Sequence, residues 1–267
     1  MRLTQIFIHL CLVFCVIVFL FPLYFVFIAS MHASPHLLIQ PFSFLRVLKN
    51  SFLMAFFIAL GKTVFSFLSA YALVYFRFPF RKTAFFLIFI TLMLPLEVRI
   101  VPTFQVLMNL HLLNGMTGLT LPLFASAVGT FLFYQLFLSI PDELSDMAKM
   151  DGAGPLCFLW HVVLPLSKTR IAMLFALMFI YGWNQYLWPL VVTNQVKMGT
   201  LVMAMQKFSM VANHPLEWNL LMTATMLVLV PPVLLVFVTY RFFYKMGINN
   251  LCQHSSLKRY ENTPRKQ

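Results

Sequence analysis

The chain has 267 residues, of which 61% are hydrophobic and 10% charged, with 31 Phe among them. Soluble domains carry nearer a quarter charged residues, so these proportions exclude an ordinary soluble fold and point to a membrane protein. The net charge of +12 is explained by basic residues gathered on one side of a bilayer, where inner-leaflet lipid is anionic, and it does not require nucleic acid.

A membrane-spanning helix needs about 20 mostly apolar residues. Six such runs occur, at roughly 6–30, 51–76, 83–106, 119–140, 171–193 and 219–243, each closed by charge, Pro, Gly or Asn. Hydrocarbon requires every backbone polar group to be satisfied within the segment, and these runs are too long and continuous for barrel strands. The expected fold class is therefore an all-α polytopic membrane protein with six transmembrane helices. The first run follows Arg2 and exceeds the core of a secretory signal, so it is expected to remain as an anchor.

Basic residues set the orientation. Arg2, Arg77, Arg81, Lys82, Lys149, Lys168, Arg170, Arg241, Lys245 and the cations of the C-terminal tail lie at one face; Arg46, Lys49, Lys197 and Lys207 lie at the other. Both termini are thereby expected to be cytoplasmic. The same rule places the segment 139–168 on the cytoplasmic side.

Residues 1–47 read as the first helix and an external connector, 48–246 as the membrane-spanning core containing the loop 139–168, and 247–267 as a cytoplasmic tail. The connector's Phe and Leu residues predict a helix lying at the interface. Pro95 in the third run and Pro231–Pro232 in the sixth predict kinks. Gly61–Lys62–Thr63 resembles the end of a phosphate-binding loop, but Phe56 stands where that loop needs Gly, so no nucleotide site is expected. Cys11, Cys15, Cys157 and Cys252 give no disulfide framework, and the seven His show no metal-ligand spacing.

The loop 139–168 interrupts the apolar sequence with charge. Four of the seven acidic residues, Asp142, Glu143, Asp146 and Asp151, fall between 142 and 151. Ser139 is read as an N-cap and Pro141 as a first-turn residue. Leu144, Met147 and Ala148 share one face, and Gly152 is placed to end the helix in a left-handed conformation. A second short helix is expected over 155–163, stopped by Pro165. Composition alone is met by a plain connector; the Met and Leu face with acidic flanks also suits a groove on another protein.

The order Asp146–Met147–Ala148, three residues, Gly152, nine residues, then Val162–Val163–Leu164–Pro165 resembles the signature cytoplasmic loop of binding-protein-dependent ABC importer permeases. Asp151–Gly152–Ala153 keeps that loop's Asp-Gly-Ala; Asp146 stands where Glu is usual and Met147 where Ala is usual. "FIYGWNQYLWPL" (179–190) is similar to the fifth-span motif of carbohydrate-uptake permeases. The stretches 59–82, 90–103 and 118–133 resemble permeases of sn-glycerol-3-phosphate importers in particular.

The resemblance implies a type I ABC importer permease fold in the bacterial cytoplasmic (inner) membrane. It implies a second homologous permease, a dimer of ABC ATPase subunits and a periplasmic substrate-binding protein as partners, besides the lipid bilayer. The chain is expected to bind no cofactor and no metal and to lack enzymatic activity, ATP and Mg being used by the ATPase. Leu144, Asp146, Met147, Ala148, Asp151, Gly152, Ala153, Leu164 and Pro165 are the implied ATPase-coupling residues. Lys62, Glu97 and Arg99 are ionisable groups in or near spans, where charge is costly and marks either a pathway or a paired structural site; with Asn184 and Gln185 they are candidates for the translocation path. Glu97 neutralising either cation, Arg99 snorkelling, and interhelical bonding by Asn184 and Gln185 are the structural alternatives. The competing functions are import of a sugar or oligosaccharide by the same kind of permease, and an ion-coupled carrier.

Overall fold

A computed structural model describes residues 2–31, 44–211, 218–219 and 221–241. Every regular element among them is helical: α1 (Arg2–Met31), α2 (Phe44–Tyr75), α3 (Arg81–Ile90), α4 (Leu96–Asn109), α5 (Met116–Thr120), α6 (Ala127–Leu138), α7 (Asp142–Met150), α8 (Pro155–Trp183), α9 (Leu187–Val192), α10 (Leu201–Val211) and α11 (Leu221–Arg241). The expected interfacial helix in the connector and the tail 247–267 lie outside the described residues.

Four helices, α1, α2, α8 and α11, are long and apolar enough to cross a membrane unaided; two bent pairs raise the number to six if each counts as one span. The third apolar run is one of these pairs. Its halves Arg81–Met93 and Glu97–Asn109 meet at 108°, far more than the kink expected at Pro95. Leu94 and Pro95 are both extended, with ψ 112° and 149°. The residue before a proline is driven out of the helical region, and Pro95 then starts α4 in a new direction. The fourth run, Met116–Leu123 with Ala127–Leu138, bends by 45°; Ser126 caps α6 by accepting from the Gly129 N–H at 3.2 Å. By contrast α11 runs helically through Pro231 and Pro232.

The chain forms two compact units. One comprises residues 1–53 and 185–232. Within it Asn50 Nδ2 donates to the carbonyls of Lys197 (2.9 Å) and Gly199 (3.2 Å), Ser51 Oγ accepts from the Leu201 N–H at 2.6 Å, and Thr223 Oγ1 donates to the Ser30 carbonyl at 3.2 Å. In α1 the most apolar stretch buries nothing against the rest of the chain.

The other unit comprises residues 54–184 and 233–267 and holds the loop. Small residues on α2 let its neighbours approach closely, the usual means of helix association where lipid removes any hydrophobic drive. A Cβ on Gly182 would stand 3.0 Å from the Ala55 Cα, one on Gly61 would run into the Phe124 ring, and one on Gly129 into Ser66. Further along α2, Phe67 meets Phe133 and Phe137 of α6 edge-on, each at 5.3 Å between ring centroids.

Candidate functional site

Two groups of residues in this second unit carry the candidate chemistry, one on the loop and one on α2. The loop helix α7 starts at Asp142, one residue after Pro141, with no side-chain cap. Ser139 does not cap it: its Oγ donates back to the Leu136 carbonyl at 2.6 Å, closing the last turn of α6. The acids Asp142 and Glu143 instead lie in the first turn and Lys149 in the last, complementing the helix dipole.

The end of α7 is as expected. Gly152 has φ 74°, the Gly152 N–H donates to the Lys149 carbonyl at 3.0 Å, and the Ala153 N–H to the Ala148 carbonyl at 2.9 Å. This pair of bonds is a Schellman closure, which needs a left-handed residue at its centre. A Cβ at Gly152 would meet nothing within 4 Å, so the requirement for glycine is conformational rather than steric.

Pro165 does not stop the following helix. Residues Pro155–Trp183 form one helix with a π turn over Leu159–Val163, and Pro165 occupies the first turn of the α-helical segment that resumes at Leu164. The wider i→i+5 turn accommodates a residue that lacks an N–H, so the proline is absorbed instead of breaking the rod. The second part of the loop, from Pro155, is thus continuous with the long helix behind it, and α7 reaches that helix through the turn 151–154.

The coupling residues named from sequence divide between two faces. Asp146, Met147, Asp151, Gly152 and Pro165 are exposed, and Asp146 pairs with Lys149 at 2.8 Å. Leu144, Ala148, Ala153 and Leu164 are half-buried; Ala148 and Ala153 line a recess toward Tyr71 and Tyr75 of α2. The outward apolar surface also includes residues that sequence reasoning missed: Met150 (87% exposed), Leu156 and Trp160 (62% exposed). Their signal in the sequence was present, as large apolar side chains in a polar stretch, but the two-helix reading put the face elsewhere.

On α2, Lys62 is only 7% exposed. Its Nζ donates to the Ala125 carbonyl at 3.2 Å and lies 4.6 Å from the centre of the Tyr181 ring, so the charge is held by a peptide dipole and a π face. Among the described residues no carboxylate pairs with it, and Glu97, which is exposed, forms no ion pair with Lys62 or Arg99. Arg99 is also exposed, yet near enough for its charge to act on Lys62. Asn184 is exposed at the C-cap of α8; Gln185 is half-buried and belongs to the first unit. Arg99 is thus within electrostatic reach of Lys62.

Ala125, whose carbonyl holds Lys62, is one of the residues lining an open cavity of about 720 Å³ between α2, α3, the end of the fourth run's first half and α6; Lys62 itself does not line it. This volume is within the usual range for small-molecule sites. Its walls are mostly apolar, with hydroxyls of Ser66, Ser69, Thr91, Ser126 and Thr130. Ser66 and Thr130 donate to the Ser126 carbonyl at 3.1 and 3.0 Å, and Thr91 to the Ile88 carbonyl at 2.6 Å. Their protons are committed to the backbone, which leaves oxygen lone pairs for an incoming donor.

A helical membrane chain with such a loop is a permease of the importer class: the model of the binding-protein-dependent transport system inner membrane component matches residues 62–246, and the chain belongs to that family. It is 47% identical to the sn-glycerol-3-phosphate transport system permease protein UgpE of Yersinia pestis bv. Antiqua, over 90% of this chain and 95% of the relative. It is 46% identical to the protein of the same description from Agrobacterium fabrum, over 89% of this chain and 93% of that one. Among solved structures it resembles a bacterial ABC transporter involved in the import of the acidic polysaccharide alginate, with a TM-score of 0.77, 22% identity, and coverage of 91% of this chain and 97% of the other. A second similar structure, at TM-score 0.71, 12% identity and coverage of 92% and 96%, is of a bacterial alginate ABC transporter in complex with a pentasaccharide-bound periplasmic protein.

Proposed function

We propose that this chain is the permease subunit of an ATP-driven importer that carries sn-glycerol-3-phosphate, and glycerophosphodiesters with it, across the bacterial inner membrane. The observation that carries the substrate is the 47% identity, over 90% of the chain, to permeases of sn-glycerol-3-phosphate transport systems. A helical inner-membrane component of this family works with a binding protein. The full assembly in this reading adds a second permease and two ATPase subunits, which use ATP and Mg; this chain is not an enzyme.

The chain crosses the membrane six times with both ends in the cytoplasm, a topology supported by the distribution of Lys and Arg. The loop 139–168 docks on the ATPase through the outward side of α7 and the start of α8. Rigid continuity from Pro155 to Trp183 supports its coupling role, since displacement at the loop moves the long helix as one body. Nucleotide then biases two states of the permease, one open to each side.

Lys62, with Arg99 near it, supplies positive charge to the phosphate as it passes, and the cavity hydroxyl oxygens accept from the glycerol hydroxyls. Charge-assisted bonds to phosphate are about twice as strong as neutral ones, which favours an anionic ester over a neutral sugar here. The test is ATP-dependent uptake of labelled sn-glycerol-3-phosphate into vesicles holding the complete complex. Saturable uptake that depends on ATP and on the binding protein supports the reading. Its absence, with the ATPase assembled and active, overturns the substrate.

A further inference from the structure

Two tyrosines one helical turn apart near the end of α2 meet the loop. Tyr71 is 5% exposed, and its Oη donates to the Pro155 carbonyl at 2.7 Å, joining positions 84 residues apart in the sequence. The Tyr75 ring lies tilted 5.0 Å from that of Tyr71 and meets the Phe158 ring edge-on at 5.2 Å. With Ser145, Ala148 and Ala153 of the loop they bound a recess of about 160 Å³.

The two hydroxyls differ in one respect. Tyr71 has its partner, whereas the Tyr75 Oη is buried and makes no hydrogen bond among the described residues. Ser145 lines the same recess from α7. A buried hydroxyl without a partner is destabilising and gains from any movement that supplies one.

We propose that Tyr71 and Tyr75 are positioning residues that tie the loop to α2 in two alternative arrangements. In one, Tyr71 holds Pro155. In the other, displacement of α7 breaks that bond and brings the Ser145 side chain to the Tyr75 hydroxyl. One hydrogen bond replaces another, so the two arrangements are close in free energy and a modest bias from the ATPase selects between them, as a two-state element requires. Lys62 precedes Tyr71 by nine residues on the same helix, about 14 Å at 1.5 Å per residue, so the latch connects the loop to the candidate substrate path through one rigid rod. The inference rests on the reading of 139–168 as the ATPase-facing loop.

The decisive experiment needs no knowledge of the substrate. In the assembled complex, with the four native cysteines replaced by serine, a Tyr75→Cys/Ser145→Cys pair is oxidised in the presence and absence of ATP with vanadate. Cross-linking at least fivefold faster in the nucleotide-trapped state is expected; equal rates overturn the latch. Tyr71→Phe, which keeps the ring and removes only the hydroxyl, separates positioning from mere packing. It is expected to assemble and hydrolyse ATP normally, with an unchanged KM, while substrate carried per ATP falls about fivefold or more. Transport, assembly and hydrolysis falling together in Tyr71→Phe would show a structural role only and overturn the proposal. Wild-type complex that fails to take up sn-glycerol-3-phosphate would overturn the substrate reading alone, because the cross-linking comparison stands without it.

Discussion

Lys62 Nζ donates to the carbonyl of Ala125 at 3.2 Å, and Ala125 is one of the residues that line the large cavity. A buried ammonium held by one peptide oxygen and the Tyr181 face keeps N–H donors for a further partner, since the group has three. Lys62→Met is therefore expected to raise the KM for uptake of the phosphate ester by about 10- to 150-fold, the range of about 1.5–3 kcal/mol for a bond to a charged group, while ATPase assembly is retained. Uptake kinetics in vesicles check this. An unchanged KM would assign Lys62 to helix packing.

Trp160 and Met150 stand out from the loop with most of their surface uncovered. Large aromatic side chains at the centre of an interface carry disproportionate binding energy, about 2 kcal/mol or more. Trp160→Ala is expected to weaken association with the ATPase about 30-fold without altering the thermal stability of the isolated permease. Co-purification at graded concentration, with a melting curve on the same variant, separates the two effects. A normal affinity would move the docking face off α8.

How much of this was legible in the sequence depends on the range of the interaction that decides it. Gly152 was legible because a left-handed helix end needs glycine locally, whatever the tertiary context. Ser139 misled because its hydroxyl can close the helix behind it as well as cap the one ahead, and Pro141 let the second helix start without a side-chain cap. Pro165 looked like a stop because a proline removes a donor; the π turn over Leu159–Val163 removes the need for that donor. The break at Pro95 was anticipated, but the 108° angle was not, since the direction in which the chain resumes is set by packing. Tyr71 gave no local sign of its bond to Pro155, because the two residues are distant in sequence.

At Gly152 the cost of any side chain is backbone strain alone. An L-residue in the left-handed region costs about 1–2 kcal/mol, and a β-branched one more. Gly152→Val is expected to fray the end of α7, lower ATP-dependent uptake at least tenfold and leave membrane insertion intact, whereas Gly152→Asn, which tolerates this conformation, retains most activity. Uptake and membrane yield measured on both variants give the comparison; equal loss in the two would mean that surface chemistry, not conformation, is what matters there.

The contact of Gly61 with Phe124 admits a test by compensation. A Cβ at 61 would overlap the Phe124 ring, so Gly61→Val must push α2 away from the segment that leads into α6. Overpacking of this kind costs about 1–3 kcal/mol, and here it also displaces Lys62, the next residue, from the Ala125 carbonyl. Gly61→Val is expected to lower both the melting temperature of the detergent-purified permease and the rate of uptake. Phe124→Ala in the same chain makes room for the added methyls and is expected to restore part of both, with a coupling energy of about 0.5–3 kcal/mol between the two sites. Strict additivity of the two substitutions would show that the ring and the glycine do not meet in the membrane.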